Sequence, residues 1–275
     1  MNFAVFGGDD RSVRLCGLLR ADGHEVRPFA LEAKLPCCAA SPEEALAEAE
    51  AVILPLPCGK DGVLNAPFSA EKHLFQTLLA SAPPGLPVLA GKAGEELRSV
   101  CRRQKLALHD YFLREDFTMR NAELTAEGAV GLLLQGENAL RGSRVLIAGF
   151  GRIGRLLAMK LRALGAEVTV AARKSEDRVL AEALGCSAIP VSQAASGKWD
   201  TAVNTVPAQI FGAAALEDFG NTRLIELASP PYGFDFAAAQ ALGKPVELAS
   251  GLPGKTAPSA AAAAVRDAIY AIMEE

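Results

Sequence analysis

Residues 143–174 read SRVLIAGFGRIGRLLAMKLRALGAEVTVAARK, and this stretch decides the fold. An apolar run at 145–148 feeds Gly149-Phe150-Gly151-Arg152-Ile153-Gly154, after which Leu156, Leu157, Leu161 and Leu164 recur at helical spacing. The helix closes at Gly165, and 168–171 forms the next strand. Gly149 permits the tight turn, Gly151 lets a pyrophosphate come up to the backbone, and Gly154 lets helix and strand pack closely. The helix start adds free N–H groups and a positive dipole end, both suited to an anion. A glycine turn in an α/β unit that binds nothing would show the same spacing. Here the strand, turn and helix stand in the required order, which makes the stretch a dinucleotide site and Gly149 to Gly154 its cradle.

The end of the second strand selects the dinucleotide. An NAD site places a carboxylate there for the ribose 2′-hydroxyl. This chain has Ala171-Ala172-Arg173-Lys174-Ser175, with no carboxylate before Glu176. Two cations and a hydroxyl fit a 2′-phosphate, because arginine pairs it bidentately and stacks on adenine. NADP is the expected cofactor, and a merely solvated turn is the bland alternative.

Working outward, the N-terminal half repeats the β-α alternation, with strands expected at 2–6, 24–29, 51–54, 87–90 and 106–109. Further strands follow at 188–191, 201–204, 224–227 and 246–248. The expected fold is α/β, with two Rossmann-like, doubly wound parallel-sheet domains and a cleft between them. Residues 1–120 form a substrate domain completed by a C-terminal helix at 259–275, and 121–258 form the NADP-binding domain. Helix 121–135 lies between them, with Thr125 as its cap and Glu127 in its first turn. Ser41-Pro42-Glu43-Glu44 is a capping box that opens an alanine-rich helix.

Loops at carboxyl ends of parallel strands bind ligands. Asn204-Thr205-Val206-Pro207 and the loop containing Ser229 therefore face the nicotinamide half, unless they are plain proline-punctuated turns. Gly7-Gly8-Asp9-Asp10-Arg11 ends a strand and opens a helix, the place where a ligand binds, with a plain helix cap as the alternative role for Asp9. The 251–258 loop brings Gly254, Lys255 and Thr256 to the start of the last helix, where a carboxylate-bearing substrate fits, or a hinge.

The chain has 275 residues, 50% of them hydrophobic and 22% charged, which suffices for two domains with sizeable cores. Its net charge of -4 gives no pull toward nucleic acid or an anionic membrane, so neither is an expected partner. No apolar run reaches the roughly 18 residues a membrane span needs. A strand at the very start leaves no room for a signal peptide and points to the cytoplasm. The six cysteines show no metal-type spacing and read as reduced structural thiols; no metal is expected. Histidines stand only at 24, 73 and 109, so a histidine acid/base from the nucleotide-binding domain is excluded, and no proton acceptor is singled out.

Five segments together, GGDDR at 7–11, NAELTAEGA at 121–129, GFGRIG at 149–154, VTVAARK at 168–174 and GLPGKTAP at 251–258, resemble the A subunits of dipicolinate synthase from spore-forming bacteria. The resemblance runs over essentially the whole chain. It implies a mother-cell sporulation enzyme that uses NADP to oxidise dihydrodipicolinate, or hydroxytetrahydrodipicolinate, to dipicolinate. It also implies a second, flavoprotein-like B subunit, and it leaves a homo-oligomer open. Aromatisation supplies the driving force, so the enzyme mainly positions its substrate. Asp9, Arg11, Thr125, Glu127, Gly254, Lys255 and Thr256 are the expected substrate contacts, with Arg11, Lys255 and the helix start at Thr125 meeting the two carboxylates and domains closing on hinges near Asn121 and Pro258. Two other readings stay open: an NADP-dependent dehydrogenase of a small 2-hydroxy or 2-amino acid, and a non-catalytic NADP-sensing subunit.

Overall fold

A computed structural model describes residues 1–136 and 139–275. They divide into two compact units, Met1–Asn121 with Pro253–Glu275, and Ala122–Leu252. The first carries β1 (Asn2–Phe6), α1 (Asp10–Ala21), β2 (Glu25–Phe29), α2 (Pro42–Leu46), β3 (Ala51–Ile53), a small hairpin of β4 (Gly59–Lys60) and β5 (Val63–Leu64), α3 (Phe75–Leu78), β6 (Pro87–Ala90), α4 (Glu95–Gln104) and β7 (Ala107–Asp110). Helix α5 (Glu115–Leu134) spans the boundary. The second unit continues with β8 (Arg144–Ala148), α6 (Arg152–Ala163), β9 (Glu167–Ala171), α7 (Ser175–Ala183), β10 (Ser187–Ile189), β11 (Thr201–Asn204), α8 (Ala213–Asp218), β12 (Arg223–Glu226), α9 (Phe236–Ala241) and β13 (Val246–Leu248). Then α10 (Leu252–Thr256) leads into α11 (Pro258–Glu274).

Each unit is built on one parallel sheet. The first has the order β2-β1-β3-β6-β7, and the second β10-β9-β8-β11-β12-β13. Counted within their own sheets these are the flavodoxin-like and Rossmann orders, so both units are Rossmann-like α/β domains.

The strands are apolar on both faces because helices cover both. In β1, Ala4 and Phe6 point to a core shared with Phe75, Leu78 and Leu97, while Phe3 and Val5 point to one formed with Leu15 and Leu19 of α1 and Ala262, Val265 and Ile269 of α11. In β8, Val145 and Ile147 meet Leu157 and Leu161 of α6, and Leu146 and Ala148 meet Leu216 and Phe219 on the other side. Leu164, expected on the buried face of α6, is exposed, because the helix stops at Ala163 and Leu164 is already its cap.

Three local expectations change. Helix α5 begins at Glu115, so Thr125 lies in mid-helix and caps nothing. Glu115 and Asp116 favour the start through the helix dipole, and the stretch from Phe117 to Asn121 contains no glycine or proline to interrupt it. Residues 252–256 are a helical turn rather than a loop, and Pro253 onward clusters with the first unit. The cap at Ser41 forms, with Glu44 N–H donating to Ser41 Oγ at 3.2 Å, but the Glu44 carboxylate accepts from Ala40 N–H at 2.6 Å and the helix ends at Leu46.

Candidate functional site

The two β-α turns at the heads of the two sheets each pass from strand to helix in three residues and differ in what they leave free. Gly149 follows β8 with φ +93, where a Cβ would stand 2.6 Å from Thr205 Oγ1. A Cβ on Gly154 would lie 2.3 Å from the Gly149 carbonyl oxygen, so helix and turn can close only around glycine. Gly151, by contrast, has an ordinary φ of -76 and, among the described residues beyond its chain neighbours, nothing within 4 Å of its Cβ position. Space therefore opens directly at the N-cap of α6, and Gly151 brings no capping side chain to meet the first-turn N–H groups. That is a fit for a diphosphate.

The flanking residues divide into those facing outward and those spent inside. Arg152, Arg173, Lys174, Ser175, Pro207 and Ser229 are exposed, and the side chains of Arg173 and Lys174 make no hydrogen bond or ion pair among the described residues. Phe150 is buried, its carbonyl accepting from Arg155 Nε at 2.7 Å, so only its backbone borders the turn. Ile153 and Val206 are half-buried, and Val206 packs beside Gly149. Thr205 Oγ1 donates to the Ala148 carbonyl at 2.9 Å, bracing the end of β8.

Asn204 is a correction. Its side chain is fully buried, with Nδ2 donating to Glu226 Oε1 at 2.6 Å and to the Val206 carbonyl at 2.9 Å, while Oδ1 accepts from Val206 N–H at 3.1 Å. It shapes the loop and offers nothing outward. Its partner Glu226 escaped the sequence reading, although a carboxylate inside the run Leu224-Ile225-Glu226-Leu227 was the signal.

In the first unit the turn is already satisfied. Gly7 N–H donates to the Phe29 carbonyl, Gly8 N–H to the Asn65 carbonyl, and Asp9 caps α1 by accepting from Arg11 N–H at 3.0 Å. Arg11 is buried, and its Nε and Nη2 grip both Asp9 oxygens at 2.8–3.2 Å. Its Nη2 also donates to the Leu56 carbonyl, while its Nη1 has no partner among the described residues. Gly254 packs against this pair: a Cβ there would stand 2.8 Å from Asp9 Oδ2 and 2.9 Å from Arg11 Nε. The structure thus brings Asp9, Arg11 and Gly254 together within one unit, with Lys255 and Thr256 exposed beside them. Asp9 offsets the charge of Arg11, which the sequence did not reveal. Lys255, without a partner among the described residues, keeps its own.

Thr125 and Glu127 belong to the second unit. Thr125 is buried in mid-helix, and exposed Glu127 pairs with Lys160 at 3.1 Å. His24 meets the rings of Phe3 and Tyr270, His73 bonds Ser69, and His109 is exposed on β7. All six cysteines are free thiols, and burial pushes Cys16 up to about 12 and Cys101 up to about 11, as befits inert packing groups. Among the described residues no helix is long and apolar enough to cross a membrane.

Residues 2–112 match the family model of the N-terminal domain of the dipicolinate synthase A subunit, and residues 117–219 that of the D-isomer specific 2-hydroxyacid dehydrogenase NAD binding domain. The second unit is accordingly similar to the NAD binding domains of D-isomer specific 2-hydroxyacid dehydrogenases, a likeness that supports a nicotinamide dinucleotide as its ligand. The dipicolinate synthase A subunit of Bacillus subtilis (strain 168) is 28% identical over 288 residues, spanning 100% of this chain and 96% of the relative. The crystal structure of the corresponding A subunit from Bacillus halodurans superposes with a TM-score of 0.88 at 26% identity, covering 99% of this chain and 97% of the other. The crystal structure of the Bacillus subtilis protein gives 0.84 at 26%, covering 99% and 95%.

Proposed function

We propose, for a chain that is a relative of the dipicolinate synthase A subunits, that it oxidises dihydrodipicolinate or hydroxytetrahydrodipicolinate to dipicolinate with NADP as oxidant. The observation that carries the cofactor half is the open cradle at Gly151 together with two cations unpaired among the described residues, Arg173 and Lys174, where an NAD site would hold a carboxylate. The nicotinamide supplies hydride acceptance, and the chain's own residues supply binding and orientation. From dihydrodipicolinate a hydride and a proton leave the ring; from the hydroxytetrahydro precursor water leaves as well.

In the second unit, the first-turn N–H groups of α6 take the diphosphate, and Arg173, Lys174 and Ser175 take the 2′-phosphate. Thr205, Val206, Pro207 and Ser229 line the edge toward the nicotinamide. In the first unit, Arg11 Nη1, Lys255 and Thr256 hold the substrate carboxylates, while Asp9 and Gly254 fix the guanidinium in place. No strong base is required of this chain, because forming the aromatic ring makes proton loss favourable. The relatives are named as one component of a synthase, and we place beside this chain a second, flavoprotein-like B subunit.

A second reading, oxidation of a small 2-hydroxy acid, is favoured by the dehydrogenase family match, but no histidine lies between residues 122 and 252 to serve as its acid/base. The deciding assay follows NADPH and dipicolinate absorbance with the purified chain, each candidate precursor and NADP, with and without the second subunit. Growth of both bands supports the proposal. NADPH formed only from a 2-hydroxy acid would replace it.

Arg173→Ala should remove one charge-assisted contact, about 1.5–3 kcal/mol or roughly ten- to hundredfold in NADP affinity, with NAD affinity little changed. Titrations of both dinucleotides against both proteins check this. An unaltered ratio of the two dissociation constants would take Arg173 out of the site.

A further inference from the structure

We infer that Glu226 is a positioning residue for the nicotinamide half of the cofactor, acting through the two loops that follow β11 and β12. The inference rests on the dinucleotide reading of the second unit.

Glu226 is the last residue of β12 and is fully buried. Its Oε1 accepts from Asn204 Nδ2 at 2.6 Å and from Ala228 N–H at 2.8 Å, and its Oε2 from Gly233 N–H at 2.8 Å and Phe234 N–H at 3.2 Å. Among the described residues neither oxygen has a cation partner, and these four donors are neutral. A carboxylate buried in this way costs stability unless its oxygens are well met, and an apolar side chain of like size would pack at less cost. What the carboxylate supplies that an apolar group cannot is a fixed geometry for four donors at once.

Those donors belong to the carboxyl edge of the sheet. Asn204 ends β11, and its amide holds Val206 through both its carbonyl and its N–H. Ala228, Gly233 and Phe234 lie at the two ends of the loop after β12, so the exposed stretch Ser229-Pro230-Pro231 is pinned at its base. Gly233 is closed down on the Asn204 amide, where a Cβ would stand 2.3 Å from Nδ2. In the order β10-β9-β8-β11-β12-β13 the topological switch lies between β8 and β11. The glycine cradle and the Arg173 turn are on the β8–β9 side and take the diphosphate and adenosine; the loops held by Glu226 are on the other side, toward the nicotinamide.

The test uses two ligands on the full chain: NADP, and adenosine 2′,5′-bisphosphate, which keeps the adenine, ribose and 2′-phosphate but has no nicotinamide. Glu226→Gln keeps the shape and one acceptor oxygen but sets an amide NH2 against backbone donors. It should weaken NADP by about tenfold or more and lower kcat, with bisphosphate affinity held at the wild-type value. Gly233→Ala, which leaves the carboxylate in place and pushes the loop off Asn204, should give the same split and serves if the glutamine variant does not fold. Equal loss of both ligands would mean a merely structural role, and no loss of either would remove Glu226 from the cofactor's surroundings; each overturns the inference. Failure of the wild-type chain to bind NADP would instead bring down the dinucleotide reading itself, and this inference with it.

Discussion

Gly151→Val is expected to abolish NADP binding, by about a hundredfold or more, in a chain that still folds. The backbone at this position is ordinary, with φ -76, and among the described residues beyond its chain neighbours no atom lies within 4 Å of the added Cβ, so the valine side chain enters open space. Its cost is that of replacing a tolerable N-cap residue with a poor one, about 1 kcal/mol. The same open space is where the diphosphate must approach the first-turn N–H groups of α6, and a branched side chain fills it. Gly154→Val makes the contrast, since its Cβ would lie 2.3 Å from the Gly149 carbonyl oxygen and would force the turn and helix apart. There, binding and thermal stability should fall together. Calorimetry with NADP, beside a melting curve for each variant, separates the cases. Wild-type NADP affinity in Gly151→Val would remove the glycine cradle from the cofactor site.

That contrast shows what the sequence can and cannot tell. The strand-turn-helix order around 149–154 was legible because glycine has few reasons to recur at that spacing between an apolar run and an amphipathic helix. The strands of both large sheets were legible for a similar reason, since short β-branched and aliphatic runs bounded by glycine and proline leave few alternatives. The start of α5 was not: Thr125 looks like a cap locally, and only the unbroken helical run from Glu115 shows that it is interior. Nor was the partition of Asp9 and Arg11, because residues two apart in sequence can face different partners, and here the N-cap geometry turns both onto each other. Glu226 left a trace, an acid in an aliphatic strand, but its four donors come from Asn204 and from a loop whose course no local pattern specifies.

Arg11→Ala carries the other large effect, and it should appear in two measurements at once. Removing the guanidinium takes away the Nη1 that faces no protein partner among the described residues, so the substrate KM should rise by roughly a hundredfold with NADP affinity little changed. It also leaves the Asp9 carboxylate and the Leu56 carbonyl without their donor. Asp9 is about one-third exposed, at 34%, and keeps its cap bond to the residue 11 N–H, so water recovers part of the loss and a cost of about 2 kcal/mol is expected rather than the full penalty of a broken buried pair. Lys255→Ala is the control for charge alone. Lys255 is exposed and unpaired among the described residues, so its loss should raise KM by about tenfold at unchanged melting temperature. Steady-state kinetics with the dicarboxylate, NADP titration and thermal melts on the two variants read all of these. If Arg11→Ala loses stability but turns over substrate with the wild-type KM, the Asp9–Arg11 pair is a fold element only, and the carboxylates must be held elsewhere.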